Sequence, residues 1–385
     1  MLATIIKGCG ALTVMMTLAA SACACPFCES ATPSWLTQIR EADIAVIAKV
    51  TAVKPAAANA PIPLVEVQLE VLQSLAEAAP RAEPKSFRCE LLETPQVGSQ
   101  WLFSGAGEPE RNWQPVSALT DARARYLQAA LQLPREGNAR WQFFYAYLEN
   151  ADEALATDAY GEFAIAPFAA VQAFQPHLKR AQLWQWIRSE KTPEQRRGLY
   201  YTMLGLCGTP ADAQELELLL TTPEKRPPGG FDALVACYLT LRADAGLKVV
   251  EAQLLASPKT SEADLQAVLL ALRFHGEEQH VLKRARIAKA LRLVLDRPQL
   301  AAVVIPDLAR WQDWDSLDAL VALFKQCDRD NAWLRIPIVS YLRACPLPAA
   351  KQQLVELAKI DPEAVEQADS LSLFGVKLRG SSEKK

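Results

Sequence analysis

Two hydrophobic periodicities divide the chain near residue 120. Before it, apolar residues fall at strand spacing. Ala42 to Val53 is rich in small and β-branched residues, Leu64 to Leu72 alternates apolar with polar, and Ser86–Leu91, Gln100–Ser104 and Asn112–Leu119 follow as short segments of the same kind. The Pro/Ala-rich stretch from Pro55 to Pro63 reads as a hairpin loop, and Gly98 and Gly105 bracket the fourth strand. Five short antiparallel strands suit a small barrel of the oligonucleotide/oligosaccharide-binding (OB) type.

After residue 120 the period changes to that of helices. Thr120-Asp121 opens one over Ala122–Leu133, and Ala139–Glu149 carries Trp141, Phe144, Tyr145 and Leu148 on one face. Thr192-Pro193-Glu194-Gln195 has the form of a capping box with Pro at the first helical position. Thr209-Pro210, Thr222-Pro223, Ser257-Pro258 and Asp361-Pro362 repeat the cap-then-Pro pattern. Many short helices with prompt stops predict antiparallel pairs. The segment from Arg197 also lies without gaps on the one from Arg335, matching Leu204 to Leu342, Cys207 to Cys345, Pro210 to Pro348, Leu216 to Leu354 and Leu219 to Leu357. These two helix-turn-helix units resemble HEAT-type α-solenoid repeats, with weaker units around Phe231–Leu255, Ser261–Leu295 and Pro298–Phe324.

The predicted fold class is therefore α+β, mostly α: a small N-terminal OB-like β-barrel followed by a HEAT-like helical repeat domain. The expected divisions are a leader over 1–24, the β domain over 25–119, a helical connector over 120–190, the repeat domain over 191–372 and a disordered polar tail over 373–385.

The leader is read from one charge, Lys7, an apolar run from Gly8 to Ala20, and the small residues Ala22-Cys23-Ala24 before a cleavage site. That run is shorter than the ~20 residues a bilayer span requires, and no later stretch is long and apolar enough to cross a membrane. The expected location is extracytoplasmic, periplasmic or secreted. A competing reading takes Ala20-Ser21-Ala22-Cys23 as a lipoprotein box with a lipid anchor at Cys23.

Composition is that of an ordinary folded protein. Half of the 385 residues are hydrophobic and 22% are charged, and the net charge of −3 leaves no overall electrostatic footprint for nucleic acid. The local basic run of Lys283, Arg284, Arg286, Lys289 and Arg292 reads either as a solvated helix face or as a contact for an acidic partner. Cleavage after Ala24 leaves Cys25, Cys28, Cys89, Cys207, Cys237, Cys327 and Cys345, an odd number, so at least one thiol stays unpaired within the monomer. Cys207, Cys237 and Cys345 sit in apolar helical patterns and read as core.

Cys25-Pro26-Phe27-Cys28 is the one compact chemical motif. A Cys-x-x-Cys at the mature N-terminus, the strand Ala-Asp-Ile-Ala-Val-Ile-Ala-Lys-Val, a Val-x-Val-x-Leu strand and Cys89 on the third strand together resemble the netrin-like domain shared with tissue inhibitors of metalloproteinases. The likeness covers roughly residues 25 to 110. It implies a disulfide from Cys25 or Cys28 to Cys89 that fastens the first segment across the barrel. It also implies an inhibitor in which the amine and carbonyl of Cys25 bind a target zinc. This chain departs from the family in having Cys-x-x-Cys where Cys-x-Cys is usual, and fewer cysteines. The whole arrangement further resembles a group of bacterial secreted proteins that begin with CPFC, a likeness that brings no activity with it.

The enzymatic alternative for the same motif is a thiol-disulfide redox centre, with Cys25 attacking and Cys28 resolving. It needs a βαβ setting that a leader does not supply. No second Cys/His pair completes a zinc site. His275 and His280 are five apart, which sets them about 140° apart on a helix and not on one metal-binding face; Gly276 points to an exposed inter-helix loop. Asp158 and Glu162 are four apart and read as an acid–base pair, or as a polar helix face or helix cap. Arg310, Trp311 and Trp314 are the candidate partner-binding residues, since Trp and Arg anchor protein contacts, whereas core packing is the alternative for the two tryptophans. No catalytic residue, metal or cofactor is assigned. The leading expectation is a non-catalytic extracytoplasmic interaction or scaffold protein that meets a protein or cell-envelope partner. The runners-up are the oxidoreductase and the metalloproteinase inhibitor.

Overall fold

A computed structural model of the chain describes residues 27–28, 32–55, 64–75, 84–107, 111–328 and 331–373. The leader, Cys23, Cys25, Pro26 and the tail beyond residue 373 lie outside the described residues. The fold is mixed α+β and mostly helical, with one curled antiparallel sheet.

The sheet comprises β1 (Ile44–Lys54), β2 (Val65–Ser74), β3 (Ser86–Leu91), β4 (Gln100–Ala106) and β5 (Asn112–Leu119), in the order β3-β2-β1-β4-β5. Register shifts between Ile47 and Ala48, between Val50 and Ala52, and between Leu102 and Phe103 bend it into a half-barrel. The two edges approach each other where Phe87 of β3 stacks on Trp113 of β5 with ring centroids 4.0 Å apart. The unbroken apolar run of β1 follows from burial on both faces. Ile44, Val46, Ala48 and Val50 fill the half-barrel, while Ala45 and Ile47, with Leu102 of β4, join the core of the helices.

Sixteen α-helices lie outside the sheet among the described residues. The first, α1 (Trp35–Glu41), precedes the sheet, in a stretch to which the periodicity assigned no element; Ser34 caps it, and Trp35, Leu36 and Ile39 are buried. After the sheet come α2 (Asp121–Leu131), α3 (Asn138–Tyr145), α4 (Glu153–Ala164), α5 (Phe168–Ala173) and α6 (Arg180–Arg188). They are followed by α7 (Glu194–Cys207), α8 (Pro210–Thr221), α9 (Phe231–Val250), α10 (Glu262–Phe274) and α11 (Arg284–Leu291). The chain ends in α12 (Pro298–Arg310), α13 (Leu317–Gln326), α14 (Ala332–Ala344), α15 (Pro348–Ile360) and α16 (Pro362–Leu373). One contiguous apolar cluster runs from Phe27 to Ala368, so the change of period near residue 120 does not interrupt the core.

Several start signals act differently from expectation. Thr192 is buried and its hydroxyl reaches Glu149 at 3.4 Å, so it caps nothing, and Pro193 stands before the first turn of α7. The capping box forms instead at Thr209, whose backbone N–H and hydroxyl both reach Asp212 at 2.6 Å. Thr222-Pro223 opens only a 3₁₀ turn, and Ser261, not Ser257, caps α10.

Each matched segment forms a pair of helices, α7–α8 and α14–α15. Arg197 and Arg335 are both buried at the start of the first helix, and each donates to the carbonyl eight residues upstream: Arg197 to Ser189 at 2.8 Å, Arg335 to Cys327 at 3.0 Å. Those carbonyls belong to the C-caps of α6 and α13. A buried guanidinium thus ties each pair to the helix before it, using donors that would be costly to leave unpaired.

Candidate functional site

The described part of the CPFC motif does not lie on the barrel. Phe27 is 3% exposed within the helical core, edge-on to Phe274 with centroids 5.0 Å apart, and Phe168 meets the same ring at 4.9 Å. Its backbone lies flat against α7: a Cβ on Gly198 would come within 2.3 Å of the Phe27 carbonyl oxygen. The next described stretch lies on α4 in the same manner, where a Cβ on Gly161 would come within 2.8 Å of the Thr32 carbonyl oxygen. Two helical glycines therefore receive the N-terminal segment as a strap. Cys28 packs against the helical core, whereas Cys89 sits opposite Val67 on β3 and borders the half-barrel interior. Cys89 carries a thiol, and burial, helped by Glu90, pushes its pKa up to about 11. Cys25, the other half of the expected bridge, lies outside the described residues.

The strap continues into α1 over a buried polar cluster. Asp158 and Glu162 are successive turns of one face of α4, and both are buried. Asp158 accepts the Trp35 backbone N–H at 2.5 Å and the Tyr126 hydroxyl at 2.6 Å. Glu162 accepts the Ser34 hydroxyl at 2.5 Å and pairs with the buried Arg140. Desolvation raises Asp158 to about 6; the donors Trp35 and Tyr126 pull it down and Glu162 pushes it up. The pair expected as an acid–base pair, a polar helix face or a helix cap is thus an interior anchor for the strap, and all four carboxylate oxygens face donors.

Beside this cluster lies a two-lobed cleft. The first lobe, about 490 Å³, is walled by Leu36, Ile39, Leu75, Leu131 and Leu133; the second, about 470 Å³, extends past Trp141, Ile165 and Pro167. Arg40, Arg135 and Arg140 line both. Volumes of this size are typical of small-molecule sites. Arg40 is exposed at the end of α1. Its Nε donates to the Leu36 carbonyl at 3.1 Å and one Nη to Thr37 Oγ1 at 3.2 Å, which uses two of the five N–H groups of a guanidinium. Asp43, also on the first lobe, accepts the Gly107 N–H at 2.8 Å.

The other predicted residues are engaged within the fold. Arg310 pairs with Glu277 and Asp307. Trp311 lies against Gly276, its buried Nε1 with no hydrogen-bond partner among the described residues. Trp314 packs edge-on to Tyr341 at 5.3 Å. Trp333, by contrast, is 73% exposed at the start of α14, and Val355 and Ile360 of the following helix α15 are exposed as well. His275-Gly276-Glu277-Glu278-Gln279 is not an exposed loop but a π-helical turn continuing α10. His275 is fully buried and bonds the Ala236 carbonyl through Nε2 at 3.0 Å; desolvation lowers its pKa to about 4. In the basic run, Arg286 is bidentate to Glu251 and Arg292 is bonded to Asp313 and Asp315, leaving no uniform cationic face.

The cleft is the feature that sequence reasoning missed. Its arginines come from α1, from the turn after α2 and from α3, so no motif contains them; only the amphipathic Trp35-Leu36-Thr37-Gln38-Ile39-Arg40 signalled part of its wall. Among the described residues no helix is long and apolar enough to cross a membrane. No protein-family model matches the chain, and neither a curated protein nor a solved structure matches it.

Proposed function

We propose that the chain is an extracytoplasmic interaction protein, in which an OB-type, netrin-like barrel and HEAT-like helical pairs form one platform for a protein or cell-envelope partner. The strand order, with β3 meeting β5 through the Phe87–Trp113 stack, supports the OB-type reading. The recurrence of the Arg197 and Arg335 anchors supports the repeat reading. The observation that carries the functional reading is the placement of Phe27. The centre of the CPFC motif is spent on packing against Phe274 and Gly198, the role of an anchor and not of a thiol presented to passing substrates. The partner surface is assigned to the exposed apolar side chains of α14 and α15, Trp333, Val355 and Ile360, because Arg310 and Trp314 of the expected contact are already engaged by Glu277, Asp307 and Tyr341.

The test uses the exported protein. Photo-crosslinking residues at Trp333 and Val355 are expected to give one discrete adduct in cells, while the Cys28→Ser variant reduces insulin no more slowly than the wild type. Turnover that depends on Cys28 replaces this reading with the oxidoreductase; absence of any adduct at both positions removes the partner surface. Non-reducing peptide mapping reports separately whether Cys25 or Cys28 is joined to Cys89. Inhibition of a zinc peptidase that is lost on acetylating the Cys25 amine favours the inhibitor.

A further inference from the structure

We propose that α1 is a latched wall of the cleft, held in place while the Asp158 carboxyl is protonated and loosened when that carboxyl ionises. The latch operates whatever partner meets α14 and α15.

One short helix serves two neighbours. At its start, the Trp35 backbone N–H and the Ser34 hydroxyl reach Asp158 and Glu162 of α4, both at 2.5 Å. Further along, Leu36, Ile39 and Arg40 line the first lobe of about 490 Å³, and Arg40 lines the second as well. A helix of seven residues does not persist alone in water. α1 therefore keeps its place through what it packs on, and the Asp158–Glu162 pair is the polar part of that footing.

The titratable and charged groups around Asp158 come from α2, α3 and α4. Glu162 stands one turn along α4 and is paired with Arg140 of α3. Tyr126 of α2 donates to Asp158 at 2.6 Å, with the ring of Tyr147 beside it at 4.6 Å. From the strap come only the neutral Ser34 hydroxyl and Trp35 amide. Arg140 is thus bonded to Glu162, whereas the hydrogen bonds to Asp158 come from neutral donors. A buried carboxylate without a bonded counter-ion is costly to keep ionised, and lifting α1 lets water reach it. Protonated, Asp158 still accepts the Trp35 N–H through one oxygen and can donate to the Tyr126 oxygen through the other. The closed state therefore binds the proton better than the open one, and the balance moves toward opening as pH rises. Burial lifts Asp158 from 3.8 to about 6; the Trp35 and Tyr126 donors oppose the rise, Glu162 adds to it and Arg140 reduces it. About two pKa units bound the change in the open-to-closed ratio at about 100-fold across that window. The device ties the rigidity of one cleft wall to the pH of the surroundings.

Hydrogen exchange of the full chain from about pH 4 to about pH 7, with each amide referred to its intrinsic rate at that pH, tests the latch. Protection of the α1 amides is expected to fall by roughly 10- to 100-fold over this range, while that of the α14 amides stays level. The wild-type comparison of the two helices requires no variant to fold. In Asp158→Asn, which is neutral at every pH, α1 should keep its acid-level protection throughout. Constant protection of α1 in the wild type, a fall no larger than that of α14, or a fall that persists in Asp158→Asn would each overturn the proposal.

Discussion

Asp158 and His275 make opposite contributions to stability over the same pH range, and replacing either one should uncover the other. Asp158 is raised from its ordinary 3.8 to about 6, chiefly by desolvation, so the native state holds this proton more tightly than the unfolded chain does. The unfolded chain then binds fewer protons between those values, and stability falls as pH rises through them. The contribution is complete below about 3.8 and gone above about 6; a difference of about two pKa units corresponds to about 3 kcal/mol. His275 is lowered from 6.5 to about 4 by burial. Between those values the unfolded chain binds the extra proton, so stability drops by about 3 kcal/mol as pH falls from 6.5 to 4. The carboxylates held below their usual range, such as Asp152 by Arg123 and Asp244 by Arg286, lose their contribution at lower pH still.

The wild type should therefore show a nearly flat stability profile from pH 6.5 to 4. Asp158→Asn keeps an oxygen for the Trp35 N–H, and the Tyr126 hydroxyl can turn to accept from the amide. The variant retains only the histidine effect and should lose about 3 kcal/mol on acidification. His275→Gln keeps a donor for the Ala236 carbonyl and should gain about as much over the same range. The double variant should be flat again. Urea unfolding followed by tryptophan fluorescence at several pH values measures all four. Parallel profiles for Asp158→Asn and the wild type would refute the claim that this carboxyl titrates inside the strap contact.

Phe27→Ala should cost about 3–5 kcal/mol, in line with emptying an aromatic core site, and limited proteolysis should then cut the N-terminal segment first. Gly198→Ala should produce the same cleavage pattern with Phe27 intact, because the new methyl group displaces the strap. Ala243 interrupts α9 at φ 46 and ψ −128, a backbone region an L side chain resists, so Ala243→Gly should raise stability by about 1 kcal/mol or more in chemical denaturation. Arg197→Met strips donors from the carbonyls of Ile187, Ser189 and Pro228 and should destabilise by about 2–3 kcal/mol, read as a lowered urea midpoint.

How much of this was legible in the sequence differs by element. The strands could be read to within two residues at nearly every end, because β1 to β5 carry their pattern locally. Ser86–Leu91 and Asn112–Leu119 agree with expectation at both ends. That two helices join at a Pro in both α7–α8 and α14–α15 was legible for the same reason: Pro210 and Pro348 open their second helices. Helix starts were less so. Thr192 and Thr209 offer the same hydroxyl before Pro, and tertiary contact decides between them, since Thr192 is drawn to Glu149 while Thr209 meets Asp212 within its own turn. The site was least legible. Asp158 and Glu162 resemble a solvated face in one dimension, and their burial depends on Trp35 and Ser34, more than a hundred residues away in sequence.

The CPFC motif illustrates the limit from the other side. Its sulfurs attract attention because thiol chemistry is local and recognisable, yet among the described residues the ring and the carbonyl of Phe27 make close contacts with the helices that no thiol motif signals. A bridge from Cys25 or Cys28 to Cys89 was expected to fasten the start of the chain across the barrel; Cys25 lies outside the described residues, and the described Phe27 rests on the helices. That placement has a consequence for the cleft. The strap that begins at Phe27 leads into α1, whose Ser34 and Trp35 are fixed on α4 and whose Leu36, Ile39 and Arg40 line the first lobe. Loosening Phe27 should therefore loosen α1 as well, without altering any residue of the lobe. In Phe27→Ala, followed at a temperature where the variant is still folded, the backbone amides of α1 are expected to exchange with deuterium faster than in the wild type. Unchanged exchange would mean that α1 holds its place through Asp158 and Glu162 alone.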